Sequence, residues 1–110
     1  MTRVTFYQNS DQEYMGFLTE NHAGYADAGE DIVCAAISAL VTNTVNSMEA
    51  FTEDDFAVDV DEEHASIKLM MQEHPSKEAE LLLKSLSLGL QGIEEDKIYS
   101  EFIDIIFEEV

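Results

Sequence analysis

The chain has 110 residues, enough for one domain with a core, and 45% of them are hydrophobic, which excludes a disordered segment. Five Lys and Arg stand against 24 Asp and Glu, a net charge of −19, so the chain repels nucleic acid and anionic membranes and attracts basic polypeptides. The sequence shows no apolar run of about 18 residues that would read as a membrane span, and MTRVTFYQN lacks the apolar middle of a signal peptide, so the expected location is the cytoplasm.

Residues 2–9 and 12–21 are rich in Val, Thr, Phe and Tyr and flank the polar corner Asn9-Ser10-Asp11, which predicts a β-hairpin. A loop follows over 22–30, with Gly24 and Gly29 supplying backbone freedom. Residues 31–49 predict a helix, because Val33, Ile37, Leu40, Val41 and Met48 form one apolar stripe. A second hairpin is predicted over 55–61 and 64–72. Phe56, Val58 and Val60 alternate with acids there, and Ile67, Leu69 and Met71 alternate on the returning strand, so one face should be covered. Pro75 and Ser76 suit the start of a second helix running to about Glu94, with Leu82, Leu86, Leu90 and Ile93 buried and Leu81 and Leu88 off that stripe. A last strand spans 101–108, with Ile103, Ile105 and Phe107 on one side. The order β-β-α-β-β-α-β predicts an α+β fold: a five-stranded, largely antiparallel sheet with two helices on one face.

Cys34 is the only cysteine, so no internal disulfide forms. Asp31 is placed to cap the first helix, which puts Cys34 in its first turn. Unpaired N–H groups there favour a thiolate and could hold an oxyanion, while Glu30 and Asp31 oppose the first effect. His22 is the natural proton acceptor for the thiol. Asp31, Cys34 and Ser38 share one helical face, away from the apolar stripe. A cysteine among Ile, Val and Ala also fits a small core residue, and Tyr25 fits either a surface aromatic or a cleft wall. One Cys and one His are too few for zinc; His64 and His74 read as turn residues, and no metal or cofactor is expected. The acids over 53–63 read as a solvated hairpin edge.

The pair of motifs NHA at 21–23 and DIVCAAIS at 31–38 resembles the ribosomal-processing cysteine protease family Prp. That family's pattern is a Gly-His-Ala triplet, a glycine-containing loop, then Asp-Ile-Val-Cys-Ala and a Ser or Thr. Asn21 stands where the family has glycine, and it is among the few other residues that tolerate a left-handed backbone. The resemblance implies a cytoplasmic, homodimeric endopeptidase that removes the N-terminal extension of large-subunit ribosomal protein number twenty-seven. It implies Cys34 as nucleophile and His22 as base, with Asn21, Ala23, Gly24, Asp31 and Ser38 supporting them or contacting substrate. Two rival readings are a non-catalytic acidic module that binds basic ribosomal proteins, and an acyl-thioester hydrolase with the same dyad.

Overall fold

Residues that alternate in polarity build five strands, and residues with helical apolar spacing build two helices. The computed structural model describes residues 1–26 and 31–110. Its elements are β1 (Thr2–Gln8), β2 (Tyr14–Glu20), α1 (Ile32–Phe51), β3 (Phe56–Asp61), β4 (Ser66–Met71), α2 (Lys77–Glu94) and β5 (Ile103–Glu109). The expected order and α+β class form. The sheet runs β3-β4-β2-β1-β5. Every pairing is antiparallel except β1 with β5. A parallel neighbour needs a crossover, and α2 provides it between β4 and β5.

The strand registers line up side chains in rows across the sheet. One row is Phe107, Phe6, Phe17, Leu69 and Val58. Its three central members are fully buried, whereas Val58 is 38% and Phe107 47% exposed. The reason is coverage: both helices share the core with this face and α2 reaches β2 and β5, but Val58 on β3 and Phe107 near the end of β5 lie outside their cover. Val33, Ile37, Val41 and Met48 of α1 and Ala79, Leu83, Leu86 and Leu90 of α2 share one buried cluster with that centre. Each fully buried Phe or Leu contributes about 1.5–3 kcal/mol.

Three expectations are corrected here. The alternation in β3 predicts a covered face, but Val58 and Val60 are exposed because β3 is an edge strand. In α2 the fully buried position is Leu83 rather than Leu82, which is half-buried, since the stripe is Ala79, Leu83, Leu86 and Leu90. Finally, α1 is long and apolar enough by length and composition to cross a bilayer, contrary to the reading that no such stretch exists. Its Val33, Ile37, Val41, Thr44 and Met48 are nevertheless buried in the core, as in the core helix of a globular protein.

Side chains close the ends of the elements. Ser76 caps α2, its hydroxyl accepting the Ala79 N–H at 3.0 Å. Asp54 in turn accepts from the Ser76 N–H at 2.8 Å and from its hydroxyl. Burial alone would raise the Asp54 pKa, but these bonds and one from Thr52 hold it below its ordinary value. A depressed carboxyl stabilises the fold fully above its unfolded pKa, near 3.9, and loses that effect as pH falls through the folded value. Asp54→Ala is therefore expected to cost about 1 kcal/mol at pH 7. The difference from the native chain should shrink as pH falls below about 4. Urea unfolding of both chains at pH 7 and pH 3 checks this.

Candidate active site

β2 ends at Glu20, and the chain turns at Asn21, whose φ is 69°. This is the left-handed region, which asparagine is among the few residues other than glycine to tolerate. The turn is pinned from both sides. The Asn21 N–H donates to the His64 carbonyl at 3.2 Å, and the Thr2 hydroxyl donates to the Asn21 carbonyl at 3.0 Å. His22 therefore leaves a fixed turn. Ala23 is buried in the core and anchors the next step, and Gly24 takes a φ of 79°.

Asp31 caps α1 as expected. One carboxylate oxygen accepts the Cys34 N–H at 2.9 Å, and the other accepts the Tyr25 N–H at 3.0 Å. One side chain thus ties the loop that follows His22 to the helix that carries Cys34. Burial pushes the Asp31 pKa up, but the N–H groups of Cys34, Tyr25, Ala26 and Val33 outweigh it and hold the group low. This alters one expectation. The helix N-terminal amides were to hold an oxyanion, yet the Cys34 N–H is already taken by Asp31, and the Ala35 N–H bonds the Asp31 carbonyl at 3.0 Å.

The two groups that the sequence pairs come together. Cys34 Sγ lies 3.9 Å from His22 Nδ1, within a weak thiol hydrogen bond. Cys34 is half-buried and packs against the core cluster. His22 is exposed. Both line a cavity of about 210 Å³, together with Asn21 and Ser38. Ala23 and Gly24 are not among its lining residues; Gly24 lies beside the N-terminus, since an added Cβ would sit 3.8 Å from Met1 N. Gly29 and Glu30 lie outside the described residues.

The cleft is larger than the pattern of motifs suggests. Its floor follows a transverse row of the sheet, Thr19, Ile67 and Val60, with Thr2 nearby and Ile37 and Val41 of α1 above. The β3–β4 turn forms another part of its rim, with Asp61, Glu62, Ala65 and Ser66. Sequence reasoning misses all of these, because they depend on which strand lies under the start of α1. A usable signal exists: Val60 is a large apolar residue on an acidic edge, and it is 64% exposed where alternation would bury it.

The remaining candidates sort differently. Tyr25 packs edge-on against Tyr99 and Phe102, with centroids 5.7 and 5.2 Å away, and does not line the cleft. His74 bonds Glu13 at 2.9 Å, which raises the imidazole pKa. His64 bonds Asp61 at 2.8 Å. Among the described residues, Asp61, Glu63 and His64 are close enough for a cation, but all are exposed, and such clusters are common without one.

Comparison with known proteins places this geometry. The ribosomal processing cysteine protease Prp of Staphylococcus aureus is 27% identical over 108 residues, covering 98% of this chain and all of that protein. The Bacillus subtilis protein of the same name is 27% identical over 100 residues, covering 87% of this chain and 89% of its own. A crystal structure of the Staphylococcus aureus protease with a covalently linked product peptide superposes with a TM-score of 0.91 at 27% identity, over 98% of this chain and 100% of that one. This relationship sets aside the reading as a non-catalytic binding module. The model of the family described as cysteine protease Prp matches residues 1–104, and the chain belongs to that family of cysteine proteases.

Proposed function

We propose that this chain trims the N-terminal extension from the precursor of large-subunit ribosomal protein number twenty-seven by Cys-His acyl transfer. The observation that carries the reading is the approach of Cys34 Sγ to His22 Nδ1, 3.9 Å, inside an open cleft. Support comes from the relatives, named as ribosomal processing proteases, and from the Staphylococcus aureus enzyme crystallised with a substrate peptide. The −19 charge suits a basic client in the cytoplasm, where the thiol stays reduced.

In the proposed reaction His22 takes the Cys34 thiol proton, and the sulfur bonds the peptide carbonyl carbon. The carbonyl oxygen becomes an oxyanion. The C–N bond then breaks, and His22 gives its proton to the departing amine. Water, deprotonated by His22, attacks the thioester and releases a carboxylate and the free thiol. While Asp31 holds the Cys34 N–H, that donor is closed to the oxyanion, and it serves only where substrate displaces the carboxylate from it. Catalytic hydrogen bonds are often long before substrate arrives, and 3.9 Å fits that pattern. Asp31 and Ser38 serve as supporting groups, one as cap and one on the cleft wall. A homodimer completes the reading: Leu81 and Leu88 are 67% and 72% exposed, two turns apart on α2, and would gain cover from a second copy.

Alkylation tests the thiol's role. Treatment with iodoacetamide is expected to modify Cys34 and to stop trimming of the extended precursor in proportion to the modified fraction. Full trimming by fully alkylated chain would overturn the mechanism.

A further inference from the structure

We infer that the β3–β4 turn is a charge-selecting rim, and that Asp61 and Glu62 make this cleft prefer a peptide with a lysine or arginine close to the cleaved bond. The inference rests on the protease reading and adds to it the chemistry of the substrate. The cleft brings Cys34 and His22 together with apolar Val41, Val60 and Ile67 and with the two carboxylates of the β3–β4 turn. Among the described residues no Lys or Arg lines it. A peptide seated in the cleft beside the thiol therefore also meets the negative charge of that turn.

Both carboxylates face solvent. Asp61 is braced by the His64 N–H at 3.3 Å and the His64 ring at 2.8 Å, and these bonds hold its pKa below the usual range. The rim is also fixed relative to the dyad, because the His64 carbonyl accepts the N–H of Asn21, the neighbour of His22. A rim tied to the catalytic turn can read a side chain at a set distance from the bond being cut. A neutral rim of the same shape would read only the apolar part of the peptide.

The test uses the peptide spanning the junction of the ribosomal precursor. Each position within about four residues of the cut is set in turn to Lys, Gln or Glu. Binding is measured by fluorescence anisotropy to the Cys34→Ala chain, and cleavage with the intact chain. At one or two positions Lys is expected to bind roughly fivefold tighter than Gln, the range of two exposed ion pairs, and the gap should close at high salt. Glu62→Gln should reduce that preference, and Glu62→Lys should turn it toward Glu. Glu109→Gln, on the opposite edge strand, changes the net charge equally and should leave the preference intact. Equal loss in Glu62→Gln and Glu109→Gln, or no preference at any position, overturns the inference. The binding arm decides this even if no peptide is cut. Absence of cleavage with charge-selective binding overturns only the substrate assignment.

Discussion

Cys34→Ala is expected to lower kcat for peptide cleavage by at least roughly 1,000-fold while leaving stability within about 1 kcal/mol of the native chain. The loss is large because the sulfur forms the bond that splits the reaction into two easier steps. The stability change is small because Cys34 is only half-buried and the Asp31 cap uses the backbone N–H of residue 34, which alanine keeps. His22→Ala is expected to cost nearly as much, and the double variant no more than the worse single one, since thiol and imidazole act as a unit. Steady-state kinetics on the junction peptide, with thermal melts of each variant, check both halves. Losses that multiply in the double variant would contradict a dyad.

Gly16→Ala is expected to be the most damaging single methyl in the sheet. β2 and β4 approach so closely that a Cβ at residue 16 would lie 2.1 Å from the Leu69 carbonyl oxygen. No real contact is that short, and the opposing group is backbone, not a side chain that could swing away. The β2–β4 register from Gly16↔Met70 to Thr19↔Ile67 would have to open. A loss of about 3 kcal/mol is expected, with a Tm lower by more than about 10 °C. The same strands carry Thr19 and Ile67, so the cleft floor would shift with them. By contrast, an added methyl at Gly92 meets nothing within 4 Å, and Gly92→Ala should be neutral or stabilising through helix propensity.

The fold and the site were legible to different depths. Composition and a polar corner located the first hairpin, and period-two alternation located the other three strands, because side-chain direction in a strand is local. It could not say which strands would be edges, so Val58, Val60 and Phe107 are more exposed than the pattern implies. The α1 stripe read correctly because one face of that helix meets the core, whereas α2 has leucines at 81, 82, 83, 86, 88 and 90 and offers several competing stripes. The approach of His22 to Cys34 was legible because the two residues fall in two short motifs. The Asp31 cap was legible from its place three residues before Cys34. The acidic rim was not: Asp61 and Glu62 look like ordinary solvated acids until the sheet order brings β3 and β4 beside the start of α1. Nor was the competition for the Cys34 N–H, since a cap and an oxyanion donor make the same demand on one backbone group.

The central claim is that Cys34 cuts a ribosomal precursor at one place. The direct measurement is mass spectrometry of the extended precursor after incubation with the native chain and, in parallel, with Cys34→Ala. The account predicts one N-terminal truncation in the first sample and an unchanged mass in the second. Equal truncation by both chains, or an intact precursor after incubation with folded, reduced native chain, would contradict it.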